Sequence, residues 1–203
     1  MAKAGVADVR TLFLSRLRWR DWAHALLVLL LVQAMPAHAA DHSPEEALAE
    51  RRVKAAYLYR FAGYAEWPPA AFTKADAPLV VGIWGNDDLA DDLAGLVAAR
   101  TIEGRRLEVR RVKDAGGLAG LHVLFLARDR TARLAEALAS PQLGMALVVT
   151  ESPGALNQGS ALNFLIIDGQ IRFELSLEAA EKRGLKLSSR LVAVSNNPQA
   201  RNR

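Results

Sequence analysis

Leu79-Val80-Val81-Gly82-Ile83-Trp84-Gly85-Asn86-Asp87-Asp88-Leu89-Ala90-Asp91-Asp92-Leu93 is the stretch whose reading decides the fold. Its first half is an unbroken apolar run bounded by Pro78 and Gly85. Such a run, rich in β-branched residues and lacking polar alternation, suits a strand covered on both faces. Asn86 then offers a side-chain oxygen to cap a helix, and Asp87 and Asp88 occupy the first turn, where the helix dipole favours negative charge. Leu89, Leu93, Leu96 and Val97 recur at helical spacing. A buried strand feeding directly into an amphipathic helix is the opening of a β-α-β unit, and so of a parallel sheet.

The pattern continues downstream. Ile102-Glu103-Gly104-Arg105 reads as a turn, and Arg106 to Val112 alternates as an exposed edge strand. Leu121 to Leu126 is a second central strand, Asp129 to Ala139 a short helix stopped by Ser140-Pro141, and Met145 to Thr150 a third apolar strand. Ala161 to Ile167 and Gln170 to Leu175 flank Asp168-Gly169, a pair suited to the positive φ angles of a tight hairpin. Ser176 to Lys182 is a helix ended by Gly184, and Leu187 to Val194 reads as another. Upstream, Ser43, Pro44 and Glu46 form a capping-box pattern ahead of Leu48, Val53, Ala56, Tyr57, Leu58, Phe61 and Tyr64 at helical spacing. Pro68 and Pro69 end that helix. The expectation is a single three-layer α/β domain with a mixed, mainly parallel sheet and an appended β-hairpin.

The first residues read differently. Lys3, Arg10, Arg16, Arg18 and Arg20 precede an apolar block, Ala23 to Val32, followed by Pro36 and Ala37-His38-Ala39. This order is that of a secretory signal peptide over 1–39, cut after Ala39, leaving a domain over 40–203. The block is shorter than the about 20 apolar residues that a membrane span requires. The whole chain carries 26 Lys/Arg against 22 Asp/Glu. Removing the leader takes five basic and two acidic residues with it, so the remainder is nearly neutral. A near-neutral domain lacks the field expected of a nucleic-acid binder. Export to the periplasm is expected.

Chemistry-bearing residues are sparse. The chain contains no cysteine, which excludes disulfides and thiol chemistry. Asp87, Asp88, Asp91 and Asp92 share helix faces but form no curved cation loop, and are expected to be a solvated acidic face. The serines lack a nucleophile-elbow pattern, and His122 sits inside an apolar strand as a buried, hydrogen-bonded side chain. Arg105, Arg106, Arg110, Arg111 and Lys113 cluster on the expected edge strand, where charge opposes edge-to-edge aggregation; the sharper alternative is an acidic partner surface. Gly85-Asn86 marks the strand-to-helix turn where α/β proteins often hold ligands. Tyr57, Phe61 and Tyr64 share one helix face toward the sheet, whereas Tyr59 and Arg60 point elsewhere. No metal, cofactor or catalytic centre is expected, so the chain reads as a binding protein rather than an enzyme.

Several segments resemble the YfiR-like family: Val53-Lys54-Ala55-Ala56-Tyr57-Leu58-Tyr59-Arg60-Phe61-Ala62-Gly63-Tyr64-Ala65-Glu66-Trp67-Pro68, Val81 to Asp87, Leu121 to Leu126, Gly159 to Phe164, Ile171 to Leu175 and Leu187 to Leu191. The resemblance implies a periplasmic α/β protein, often a homodimer. It implies a negative regulator of cyclic di-GMP signalling that binds the periplasmic domain of an inner-membrane diguanylate cyclase. The alternative is a periplasmic small-ligand-binding accessory protein using the cleft near Gly85 and Asn86. Candidate contact residues are Tyr59, Arg60, Glu66, Trp67, Arg172 and Arg190. Two departures stand out: Leu121 lies where the family pattern leads one to expect a cysteine, and Ser176 where the hairpin usually leads into asparagine. Redox control by disulfides is thereby excluded here.

Overall fold

The computed structural model describes residues 43–196. The expected leader over 1–39 lies outside the described residues. Helix α1 (Pro44–Tyr64) opens with the capping box: Ser43 Oγ accepts from the Glu46 N–H at 3.2 Å, and Glu46 Oε2 accepts from the Ser43 N–H at 2.9 Å. It leads into the two-residue strand β1 (Ala65–Glu66). There follow β2 (Leu79–Trp84), α2 (Asp87–Val97), β3 (Thr101–Ile102), β4 (Arg105–Val112), β5 (Val123–Leu126), α3 (Leu134–Ala139) and β6 (Leu147–Thr150). The chain continues through β7 (Leu162–Ile167), β8 (Gln170–Leu175), α4 (Leu177–Glu181), β9 (Lys186–Leu187) and α5 (Ser189–Val194).

Among the described residues the main sheet has seven strands in the order β3-β4-β2-β5-β6-β7-β8. The five central strands, β4, β2, β5, β6 and β7, run parallel. The outer strands β3 and β8 each run antiparallel to their neighbours. The fold is therefore α/β with a mixed, mainly parallel sheet, and the Asp168-Gly169 hairpin supplies its antiparallel edge. Asp168 and Gly169 have φ of 50° and 71°, the left-handed pair that a two-residue hairpin turn demands.

Three expectations change. The helix expected over 129–139 is α-helical only over Leu134–Ala139, the preceding Arg128–Arg133 forming tighter 3-10 turns. The strand expected over 106–112 begins at Arg105 and is not the edge: β3 pairs with it, Thr101 opposite Arg106. The helix expected over 187–194 is split. Lys186 and Leu187 pair with Glu66 and Ala65 in a separate antiparallel ribbon, and the helix starts only at Ser189. Two residues are too few for alternation to register, so neither piece of the ribbon has a sequence signature.

Every residue of β2 is buried. Its odd members, Leu79, Val81 and Ile83, face the layer made by α1 and α2, whereas Val80 and Trp84 face Leu118, Leu134 and Leu143 on the other side. The first layer is centred on Phe61, which is fully buried. Its ring lies 5.6 Å from that of Phe164 on β7, 4.9 Å from that of Phe173 on β8, and 5.7 Å from that of Tyr57 one turn earlier. Offset and edge-on aromatic pairs of this kind add roughly 0.5–1.5 kcal/mol each beyond the area they bury.

Gly82 shows how tightly the second layer is packed. A Cβ there would lie 2.5 Å from Leu121 Cδ1 and 3.0 Å from Val112 Cγ2. Leu121, the residue standing in place of an expected cysteine, fills the volume that a side chain at 82 would need. Gly82→Ala is expected to lower stability by about 1–3 kcal/mol through overpacking. In a urea-unfolding double-mutant cycle, Leu121→Ala should cost less in the Gly82→Ala background than alone, a coupling of more than about 0.5 kcal/mol; strict additivity would refute the contact.

Candidate functional site

In open α/β sheets ligands gather beyond the carboxyl ends of the strands, where the crossovers change face. Here that place lies between β2 and β5: the chain leaves β2 through α2 to reach β4, then returns past β2 to β5 and β6. The turn at Gly85 meets the one that follows β5. Gly85 has φ of 98°, and a Cβ on it would sit 2.6 Å from Arg130 Cγ and 2.7 Å from Asp129 Oδ1. Asn86 is turned inward to its helix, its Oδ1 accepting from the Leu89 N–H at 2.9 Å. Side chains from the second turn thus lie directly against the backbone of Gly85.

Beyond β6 the same edge holds a polar network. Lys54 of α1 is buried, and its Nζ contacts both Glu50, one turn earlier, and Glu151, the residue after β6. Glu151 Oε1 also accepts from the Arg128 N–H at 3.0 Å, and its carbonyl from Arg128 Nε at 3.2 Å. Deeper, Asn163 Oδ1 accepts from the Thr150 hydroxyl at 2.8 Å and from the Ser152 N–H at 2.9 Å, while its Nδ2 donates to Glu174 Oε1 at 2.9 Å. The Ser152 and Thr131 hydroxyls bond to each other. Each buried group has a partner, so the network fastens α1 to the ends of β6 and β7. The Glu50–Lys54 spacing is legible in the sequence; Glu151, remote in the chain and following an apolar strand, is not.

The opposite edge of the sheet holds an aromatic cluster. His122, just before β5, is 5% exposed. Its Nδ1 accepts from the Val80 N–H at 3.1 Å, which places the proton on Nε2. Its ring stacks on Phe72 at 4.5 Å and meets Trp67 edge-on at 6.1 Å; Arg105 lies over the Phe72 ring at 3.8 Å. Burial pushes the imidazole below its ordinary value; the Ala71 backbone opposes this, and the charge of Arg105 adds to it. Because His122 precedes β5 and Ser152 follows β6, histidine and serine sit at opposite ends of the parallel strands. They do not form a nucleophile–base pair.

The charged clusters are satisfied internally. Arg51 of α1 pairs with Asp88 at 3.4 Å and Asp92 at 3.1 Å, and Arg111 of β4 pairs with Asp87 at 3.8 Å and with Asp91. Asp87, Asp88 and Asp91 are exposed, as expected of a solvated acidic face, and the four aspartates also pair with Arg51 and Arg111 on either side of α2. Among the described residues no group of three or more acidic or histidine side chains is placed to hold a metal ion. Arg105 donates to the Ala77 carbonyl at 2.7 Å, and Arg110 to that of Ala119, also at 2.7 Å.

The six candidate contact residues divide. Tyr59 is half-buried, its hydroxyl 3.5 Å from the Thr101 carbonyl and the Arg100 guanidinium over its ring. Trp67 is half-buried against His122. Arg60, Glu66 and Arg190 are exposed. The end of α1 and the start of α5 are joined by the Ser188 N–H donating to the Tyr64 carbonyl at 2.8 Å, and Glu66 faces Lys186 across the ribbon. That end of the domain presents mixed charge on ordered backbone. Arg172 is exposed on β8 and bonds Gln170 at 2.6 Å; by strand alternation it lies on the sheet face away from α1. Sequence reasoning passed over Ile166, which is half-exposed on the hairpin.

The fold is a three-layer α/β domain, and its α1–α5 end carries exposed charge from Arg60, Glu66 and Arg190. The chain belongs to the YfiR/HmsC-like family, whose model matches residues 51–196. No curated protein matches it. No helix among the described residues is long and apolar enough to cross a membrane.

Two predictions follow from the edges of the sheet. Lys54→Met leaves the Glu151 carboxylate buried without its cation and should cost about 3–5 kcal/mol in urea unfolding; a loss below about 1 kcal/mol would mean that the network fastens nothing. His122 is held neutral by the fold, whereas the unfolded chain protonates near the ordinary value. Stability should therefore fall as pH drops below that value toward the lower value in the fold. His122→Gln, whose amide oxygen can still accept from Val80, should remove this component of the pH dependence between pH 7.5 and 5.

Proposed function

We propose that this chain is a periplasmic regulator that binds the periplasmic domain of an inner-membrane signalling protein, of the diguanylate cyclase type, and holds it inactive. Membership of the YfiR/HmsC-like family carries the reading. The basic and apolar leader supports export, with cleavage after Ala39. The separation of His122 from Ser152, and the full internal pairing of Lys54 and Glu151, argue for binding rather than turnover.

The contact face is assigned to Arg60, Glu66 and Arg190 at the α1–α5 end, with Tyr59 and Trp67 as the partly buried aromatics beneath it and Arg172 as an outlying contact on the hairpin. Arginine and large aromatics are the side chains over-represented at binding hot spots. Inhibition is then a population shift: the regulator binds the inactive state of its partner more tightly, and shifts it only by that difference in affinity. A homodimer, the commonest soluble oligomer, would present two such faces.

Deleting the gene should raise cellular cyclic di-GMP, and only while the cognate cyclase gene is intact. The double variant Arg60→Glu/Arg190→Glu, folded as judged by its unfolding curve, should reproduce the deletion. Unchanged cyclic di-GMP in the deletion strain would overturn the reading.

A further inference from the structure

A groove of about 960 Å³ opens at the edge of the sheet opposite the Lys54 network, where the chain enters β6 and β7 and leaves β8 for α4. Leu138, Met145, Leu156 and Leu177 supply apolar surface in a lining that is otherwise largely polar, with Asn157, Gln158, Ser176 and Arg183 among its polar side chains. It is built by backbone geometry. Gly159 has φ of 106°, and a Cβ there would lie 3.2 Å from Leu138 Cδ1, so this turn approaches α3 only as glycine.

Arg183 is the feature that needs an explanation. It is half-buried, and among the described residues no carboxylate lies within 4 Å of its guanidinium, although most other partly buried cations here have one or stack on a ring. It donates to the Gly144 carbonyl at 2.9 Å and the Leu138 carbonyl at 3.2 Å. Those bonds fix the side chain in place but leave further N–H donors of its fork unused. Burial without a counter-ion pulls the guanidinium below its ordinary value. At the rim, Lys182 and Glu178 pair at 2.7 Å, so the charged lining, Lys182 and Arg183 against Glu178, is net positive.

We infer that this groove is a binding site for a small organic carboxylate with an apolar body, its carboxylate on Arg183 and its body against Leu138, Met145, Leu156 and Leu177. Three features argue for this class. The cation is positioned before any ligand arrives, which spares the ordering cost of binding. Arginine's planar fork matches a carboxylate in two-point geometry. The lining is mixed and more polar than apolar, but Leu138, Met145, Leu156 and Leu177 give a hydrocarbon part something to touch that a bare inorganic anion would not use. The groove shares no lining residue with the proposed α1–α5 contact face, and the inference stands independently of the proposed regulatory role.

The test is a titration of the protein, expressed from the full chain, followed by amide chemical shifts, with octanoate as the probe and octan-1-ol and octylammonium as controls. Octanoate should produce saturable shifts at Asn157, Gln158 and Leu177, and neither control should do so. Equal shifts with octan-1-ol would show a merely greasy groove and overturn the assignment, as would no saturable shift with octanoate. Arg183→Gln should weaken octanoate binding about tenfold or more. Because Arg183 also holds two carbonyls, Lys182→Glu at the rim provides the second variant. It touches neither carbonyl, and it should weaken binding several-fold at low salt; unchanged affinity there would count against the charge-led reading.

Discussion

The docking of α1 across the sheet is the constraint on which the remainder depends. Phe61 wedges between Phe164 and Phe173, with Tyr57 stacked on it one turn away. Because β7 and β8 form a hairpin at the sheet edge, their inner face would stand open to water without that helix. The aromatic seam therefore closes the core and fixes where α1 ends. Lys54, midway along the helix, pins it to Glu151. A buried ion pair of this kind adds little net stability but penalises any alternative seating, since sliding the helix would strand a charge. Register and orientation of α1 follow, and with them the position of Arg60 and of the ribbon that carries Glu66.

Much of this was legible in the sequence, for a physical reason. Strands buried on both faces, such as Leu79–Trp84, are written as continuous apolar runs. The α2 start is written in Asn86, and the hairpin in Asp168-Gly169. These signals are local, because each depends on backbone chemistry within a few residues. What escaped was non-local. The β1–β9 ribbon joins Ala65 to Leu187 across the whole domain by two residue pairs. Glu151 reaches Lys54 from a loop whose own sequence offers no pattern, and Arg183 meets Leu138 and Gly144 only once α3 and α4 have packed. Tertiary pairing of short segments leaves no period to read.

The expected cleft at Gly85 illustrates the difference between a location and a site. The topology places a crossover there, as in ligand-binding α/β proteins, and what packs against Gly85 is the Asp129–Arg130 turn. The open space lies instead at the opposite edge, around an arginine whose charge nothing in the described chain neutralises. A ligand-responsive regulator needs two distinct sites, since two ligands can influence one another only through such a pair, and the proposed groove and contact face would be two such sites. Coupling between them would pass through α4, β9 and the ribbon, which are contiguous in sequence from Leu177 to Leu187.

We propose that this domain docks its α1–α5 end on the outer part of a membrane signalling protein. A photo-activatable residue at position 60 or 190, introduced in intact cells and cross-linked in place, tests it most directly. A covalent adduct with an inner-membrane cyclase is expected from both positions, and none from position 106 on the far side of the sheet. Adducts from position 106 alone, or to proteins with no signalling domain, would contradict it.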